Sequence, residues 1–372
     1  VSALIGIDST TSLLGLDRVP FWKYHSLSYM LSQRLRSEQA PDLPADEYST
    51  LNYGSIIYSR IAVIFDYLLQ TAGEYRLDAA MQEYFDRYRF SHPKPADLEE
   101  VLVRHGVVSR EVFRDLFHST KKLDYKIKSA GGQNDSSYIV EIKNKGEVNA
   151  PFVLSAMRGD TAFSREIIEG FEGTRTFTFS APGAGAFRID PEARMPEINR
   201  RNNTIRTSGI FRKAEPLRVE LITGFEDPGY SQLFLVPLIG GNKYNGFLLG
   251  MAFHNYSIYQ KKFEWYYAPM FGFRSLTPAG AADAEYKIFS EGIVSQFNLG
   301  LSLRSFAFND GSFYSNSGTF GHFYRLTPYL DMKIRKRPLA HFSQRITLTH
   351  YHLRADSTAS ENWGSFQNLS TW

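Results

Sequence analysis

The sequence predicts a multidomain α+β chain in three parts: a helical region over residues 1–130, a small β-sandwich with its linker over 131–215, and an antiparallel, aromatic-rich β-barrel region over 216–372, complete or incomplete. Three observations predict it. Apolar residues recur at three-and-four spacing through the first part, short alternating runs are punctuated by glycine in the second, and long period-2 segments fill the third. At 372 residues the chain also exceeds one ordinary domain.

In the first part, Trp22 to Glu38 carries Leu27, Met30, Leu31 and Leu35 on a helical stripe, and Pro41-Asp42-Leu43-Pro44 reads as the loop that follows. A second helix is expected from about Ser55 to Gln70 through Ile57, Ile61, Ile64, Phe65 and Leu68, with Gly73 just past its end. A third runs from about Leu77 to Phe90 on Leu77, Met81, Phe85 and Tyr88, and is ended by Ser91-His92-Pro93-Lys94-Pro95. Asp97 and Glu100 have capping-box spacing for a short helix that stops at Gly106, and Ser109 caps another through Val112, Phe113, Leu116 and Phe117.

From residue 131 the period changes to two. Tyr138, Val140 and Ile142 alternate with Ile139, Glu141 and Lys143, and Phe152-Val153-Leu154, Phe163 and Phe177-Thr178-Phe179 supply further strands. Gly146, Gly159, Gly170, Gly173 and Gly183-Ala184-Gly185 mark the turns between them. This spacing fits a small β-sandwich, and Asn199-Arg200-Arg201-Asn202-Asn203 leads out of it.

The third part places Phe247-Leu249-Met251-Phe253, Phe263-Trp265-Tyr267-Pro269-Phe271-Phe273, Phe297-Leu299-Leu301-Leu303 and Leu326-Pro328-Leu330-Met332-Ile334 each on one strand face. The opposite faces carry His254, Glu264, Arg274, Asn298, Arg304, Arg325, Asp331, Lys333 and Arg335, and Gly300 and Ser302 share that side. Such groups are costly in a closed apolar core but suit a wall with lipid outside and water inside. A closed barrel satisfies its own backbone in hydrocarbon, so an outer-membrane barrel of seven to nine strands is the expectation, with outer-membrane lipid as a partner. A soluble antiparallel sheet with one wet face gives the same alternation and stands as the alternative.

Composition narrows the chemistry. The absence of cysteine removes thiolate catalysis, disulfides and Cys-based metal sites. The 42 basic against 39 acidic residues give +3, and the patches Lys121-Lys122, Arg200-Arg201 and Lys333 to Arg337 are short, so nucleic acid is not an expected partner. None of the nine histidines forms a His-Glu-x-x-His helix, and neither a Gly-x-Ser-x-Gly elbow nor a phosphate-binding glycine loop occurs. His350 and His352 share a strand face, so a common metal is sterically open to them, although a lumen or rim pair is the expected reading. The chain starts at a valine without an export signal, which leads us to expect a longer parent protein.

One short segment points to a chemistry. Tyr53-Gly54-Ser55-Ile56-Ile57-Tyr58-Ser59-Arg60 enters the second helix with two tyrosines five residues apart. With the following Phe65-Asp66-Tyr67-Leu68, the helix to Phe90 and His92-Pro93-Lys94-Pro95-Ala96-Asp97, it resembles the alanyl-aminopeptidase-like zinc metallopeptidases of the gluzincin family. It is similar above all to membrane-associated members of the Bacteroidetes lineage, which carry a small β-domain ending in a segment like Ile189-Asp190-Pro191 and Asn199 to Asn203, and then aromatic strands.

That resemblance implies that residues 1–130 are the helical remnant of a peptidase domain and that the chain is the C-terminal part of an outer-membrane zinc aminopeptidase acting on peptide N-termini. Tyr58 would be its catalytic residue, donating from a neutral phenol to the oxyanion formed as zinc-bound water attacks the carbonyl. Tyr53 would support the substrate cleft, although five α-helical positions diverge by about 140°; Arg60, where lysine is more usual, would give structural support. The family's zinc histidines, its general-base glutamate and its third zinc ligand would all lie upstream of residue 1. This chain would therefore bind no metal or cofactor itself and would be inactive alone. Its partners would be a peptide substrate and an upstream catalytic fragment or an envelope complex, with the first two parts periplasmic. The alternative is a noncatalytic, peptidase-derived scaffold subunit of an outer-membrane complex.

Overall fold

In a computed structural model of the protein the described residues are 23–371, apart from 36, 133–135, 225, 228, 258–259, 291, 309–320, 336–341 and 357–366. Trp22, Arg36, Arg337, His341 and Trp372 therefore lie outside them. The described residues divide into two compact units between Glu215 and Pro216, and the architecture is α+β, with a helical region and several antiparallel sheets.

The first unit begins with helix α1 (Lys23–Arg34), followed by a helical turn at Thr50–Asn52 that passes into a π-helix (Tyr53–Arg60) and then into α2 (Ile61–Ala72). The helix expected over Ser55 to Gln70 is thus continuous but wound in two ways. Gly73 stops α2 with φ of 87°, a left-handed value that a side chain disfavours, and α3 (Glu74–Tyr88) starts at once. In α4 (Pro95–Arg104) proline takes the first position, where its missing N–H costs nothing. Asp97 is not the cap of this helix: its Oδ2 accepts the Lys94 N–H at 2.7 Å, so it closes the first turn from inside. Ser109 caps α5 (Arg110–Phe117) as expected, accepting the Val112 N–H at 3.3 Å.

Two antiparallel sheets complete this unit. One runs β1 (Tyr125–Gly132), β2 (Ser137–Asn144), β5 (Thr174–Ser180) and the other β4 (Thr161–Ile168), β3 (Phe152–Arg158), β6 (Ala186–Ile189), β7 (Thr204–Arg206). The strand period begins at Tyr125, ahead of the change read near residue 131, because Tyr125, Ile127 and Ala130 point into the core. Tyr125 meets Phe152 at 4.3 Å between centroids and Phe179 meets Phe187 at 5.4 Å, so the two sheets share one interior. Helices join the same core through Ile64, Leu68, Leu102 and Phe113, and the Tyr67 hydroxyl donates to the Pro151 carbonyl at 2.6 Å.

The second unit is one nine-stranded sheet in chain order from β8 to β16. Its strands are β8 (Leu217–Leu221), β9 (Ser231–Asn242), β10 (Gly246–His254), β11 (Phe263–Gly272), β12 (Thr277–Phe289), β13 (Val294–Phe308), β14 (Gly321–Ile334), β15 (Arg345–Asp356) and β16 (Gln367–Thr371). Every pair is antiparallel except β8 with β9, which is parallel. Among the described residues no ladder joins β16 to β8.

The registers sort side chains by chemistry. Phe297, Leu299, Leu301 and Leu303 pair with Met332, Leu330, Pro328 and Leu326, while Asn298, Ser302 and Arg304 pair with Asp331, Thr327 and Arg325. The usual burial order is inverted: Leu299 is 50% exposed and Leu301 42%, whereas Asn298 is 3% exposed and Asp331 fully buried. Apolar side chains face outward here and polar ones are enclosed by their neighbours.

Candidate functional site

The two expected site residues are brought together by the backbone that carries them. The Ser49 hydroxyl accepts the Asn52 N–H at 3.3 Å, and buried Asn52 donates to the Ser37 carbonyl at 2.5 Å and to Gln39 Oε1 at 2.9 Å, which fixes the entry to the segment. The chain then follows i→i+5 bonding, ending with the Ile61 N–H on the Ile56 carbonyl. An α-helix would splay Tyr53 and Tyr58 apart; the wider π-turn stacks residues five apart on one side. Their rings meet edge-to-face with centroids 6.0 Å apart.

The opposite side of this segment is sealed. Ser55, Ile56, Ser59 and Arg60 are buried, whereas Tyr53 is 42% and Tyr58 60% exposed. Tyr48, five residues before Tyr53, extends the series with an edge contact at 6.4 Å. Its hydroxyl is already committed, donating to the Ala40 carbonyl at 2.6 Å and accepting the Leu43 N–H at 3.2 Å. An ordinary phenol is neutral through the physiological range, and the hydrogen bond with Tyr53 raises the pKa of Tyr58 further. The segment therefore presents one protonated phenol, backed by a second, on an exposed face.

Arg60 provides the structural support expected of it. Its guanidinium is buried, donating through Nη2 to the carbonyls of Leu116 at 2.8 Å and Ser119 at 2.9 Å, at the C-terminal end of α5 where the helix dipole favours a cation. Its charge also lies over the Tyr29 ring, 5.7 Å from the centroid. This tie spans 56 positions of sequence, and no local pattern announces it.

Among the described residues no three His, Asp or Glu side chains converge as a metal site. His350 and His352 have ring centroids 4.2 Å apart, and His352 lies opposite Leu326, which puts the pair on the outward apolar side of the sheet and not beside Asp331 and Thr347 on the enclosed side. The enclosed side holds a polar network that residue spacing did not reveal. Tyr329 reaches across β13 to donate to Glu285 at 3.1 Å and Asp283 at 3.3 Å, and Lys287 contacts both Glu264 and Glu285. The available signal was Gly300, a glycine inside an otherwise bulky alternation, over which the Tyr329 ring lies. No model of a known protein family matches the chain, and no curated protein matches it.

Proposed function

We propose that this chain is the C-terminal part of an outer-membrane-associated zinc aminopeptidase, with residues 216–372 forming the wall of a transmembrane β-barrel, residues 131–215 a β-sandwich and residues 1–130 the helical part of the peptidase domain. The observation that carries the membrane assignment is the inverted sheet, whose apolar side chains face outward and whose charges face one another. In water that arrangement would expose a large apolar area without return; in hydrocarbon it is the stable one.

The peptidase assignment rests on Tyr58. Its exposed phenol, neutral beside Tyr53 on a rigid buried base, suits a group that donates to a carbonyl oxygen as negative charge develops there. In this reading the metal would belong to an upstream part of the parent, and the role of this chain is to position that donor.

In the intact parent, Tyr58→Phe is expected to keep fold and zinc content and to lower the peptidase rate about 10²–10³-fold, the scale of one oxyanion donor. Equal rates would remove Tyr58 from catalysis. An intact wild type devoid of zinc and peptidase activity would favour the scaffold reading, which the self-contained packing of Tyr48, Tyr53 and Tyr58 also accommodates.

A further inference from the structure

The outward face of the nine-stranded sheet is not uniformly bulky. Along β12 it carries Gly280, Ala282 and Ala284, paired on one side with Pro269, Tyr267 and Trp265 of β11 and on the other with Ser305, Leu303 and Leu301 of β13. A row of small residues between taller ones leaves a trough one strand wide. At the Gly280 end it opens into a cavity of about 470 Å³ whose lining continues past Tyr324 and Leu326 to His352 and Arg354. Arg354 lies opposite Tyr324 and His352 opposite Leu326, so both are on the same outward face, with the His350 ring 4.2 Å from that of His352. From the apolar floor at Gly280 the cavity thus crosses the strands past Ser305 and Tyr324 to a basic rim on β15.

We infer that this trough holds an acyl chain of an anionic, phosphate-bearing lipid, with the headgroup at Arg354 and the His350 and His352 pair. The inference rests on the membrane reading above, and width and charge select the occupant. Same-face neighbours along a strand are two residues, about 7 Å, apart, so the cavity between the cross-strand row from Ala282 to His352 and the row from Gly280 to Arg354 admits a methylene chain but not a helix, which is about 10 Å across. A partner's strand would add to a sheet edge, not to its face. A guanidinium matches phosphate oxygens in pairs, and a basic rim at the end of an apolar trough is complementary to an anionic lipid.

Trp265 borders the trough and reports on it. The intact protein would be reconstituted in phosphatidylcholine vesicles containing a small fraction of lipid with brominated acyl chains, either phosphatidylglycerol or phosphatidylcholine, and the Trp265 signal taken as the difference from Trp265→Phe. Half-maximal quenching is expected at about fivefold less brominated phosphatidylglycerol than phosphatidylcholine, the preference conferred by one basic side chain at the surface. Ala282→Phe, which fills the floor, and Arg354→Gln, which removes the rim charge while leaving the floor intact, should each abolish that preference.

Equal quenching of the wild type by both lipids, or an unchanged preference in Arg354→Gln, overturns the inference and leaves the membrane reading standing. No quenching by either lipid overturns both. An oligomer in detergent that Ala282→Phe returns to monomer would seat a second copy in the trough and overturn the lipid assignment.

Discussion

Glu197 shows how a single acid can tie stability to pH. It is 1% exposed in the first unit, where its Oε1 accepts the Tyr125 N–H at 2.7 Å and its other oxygen accepts from the Asn203 amide. Burial raises its pKa well above the ordinary carboxylate range despite these donors, and Asp124 and Asp190 push the same way. The folded chain therefore holds this proton to higher pH than the unfolded chain, so stability falls as pH rises from the ordinary carboxylate value upward, by at most about 1.4 kcal/mol per pH unit. Glu197→Gln should remove that slope. Its amide still accepts from Tyr125 and, once the Asn203 side chain turns over, donates to Asn203 Oδ1, which is buried and without a partner. Melting temperatures of the two proteins that differ by a constant from about pH 4 to about pH 8 would assign no such role to Glu197. The sequence locates Tyr53 and Tyr58 as residues of interest, but no local pattern marks Glu197, because burial is a property of what surrounds a carboxylate and not of its neighbours in the chain.

At the scale of elements, the clearest dependence is the crossing of Tyr329 over Gly300. A Cβ on Gly300 would collide with the Tyr329 ring, which must then leave its hydrogen bonds with Glu285 and Asp283 on β12. Gly300→Ala is expected to cost about 1–3 kcal/mol, as overpacking does, and Tyr329→Phe about 1 kcal/mol for its hydrogen bonds. Tyr329→Ala should relieve the Gly300→Ala clash, so a double-mutant cycle read by denaturant unfolding in detergent should give a coupling well away from zero. Additive costs would mean that ring and glycine do not meet. The π-helix makes the complementary point. The five-residue spacing of tyrosines was visible, yet α-helical geometry turned it into a divergence, and only the wider turn puts both rings on one side.

For the whole molecule, the facing of the nine-stranded sheet decides what medium it meets. Leu301 pairs with Pro328 and Ala284 on the apolar side, and Ser302 with Thr327 and Asp283 on the polar side. Single cysteines at these two positions should therefore separate: in membranes the Leu301→Cys thiol is expected to resist a water-soluble maleimide, and the Ser302→Cys thiol to react wherever water fills the interior. Leu301→Arg should cost about 2–4 kcal/mol near the bilayer midplane and less toward its borders. A water-labelled position 301 beside a protected position 302 would reverse the phase and remove the membrane assignment. Neither result depends on how the two units are arranged.

What the sequence determined by itself was the kind of the longer elements and the faces of the strands that carry Leu299 and Leu330. Three-and-four spacing in Ile61, Ile64, Phe65 and Leu68 and period two in Leu299, Leu301 and Leu303 are local consequences of helical and pleated geometry, so they are readable without partners. Even the segregation of charge onto the face of Asn298 and Asp331 was legible, because alternation assigns a face before any neighbour is known. The tertiary structure decided what those faces meet. It drew helices and two sheets into one core around Phe113, Phe152 and Phe187, sent Arg60 to the end of a helix 56 residues away, and folded Tyr329 over Gly300. Each of these joins residues distant in sequence, where the gain in packing and paired polar groups outweighs the cost of closing the loop between them, and no local window contains both sides of that balance.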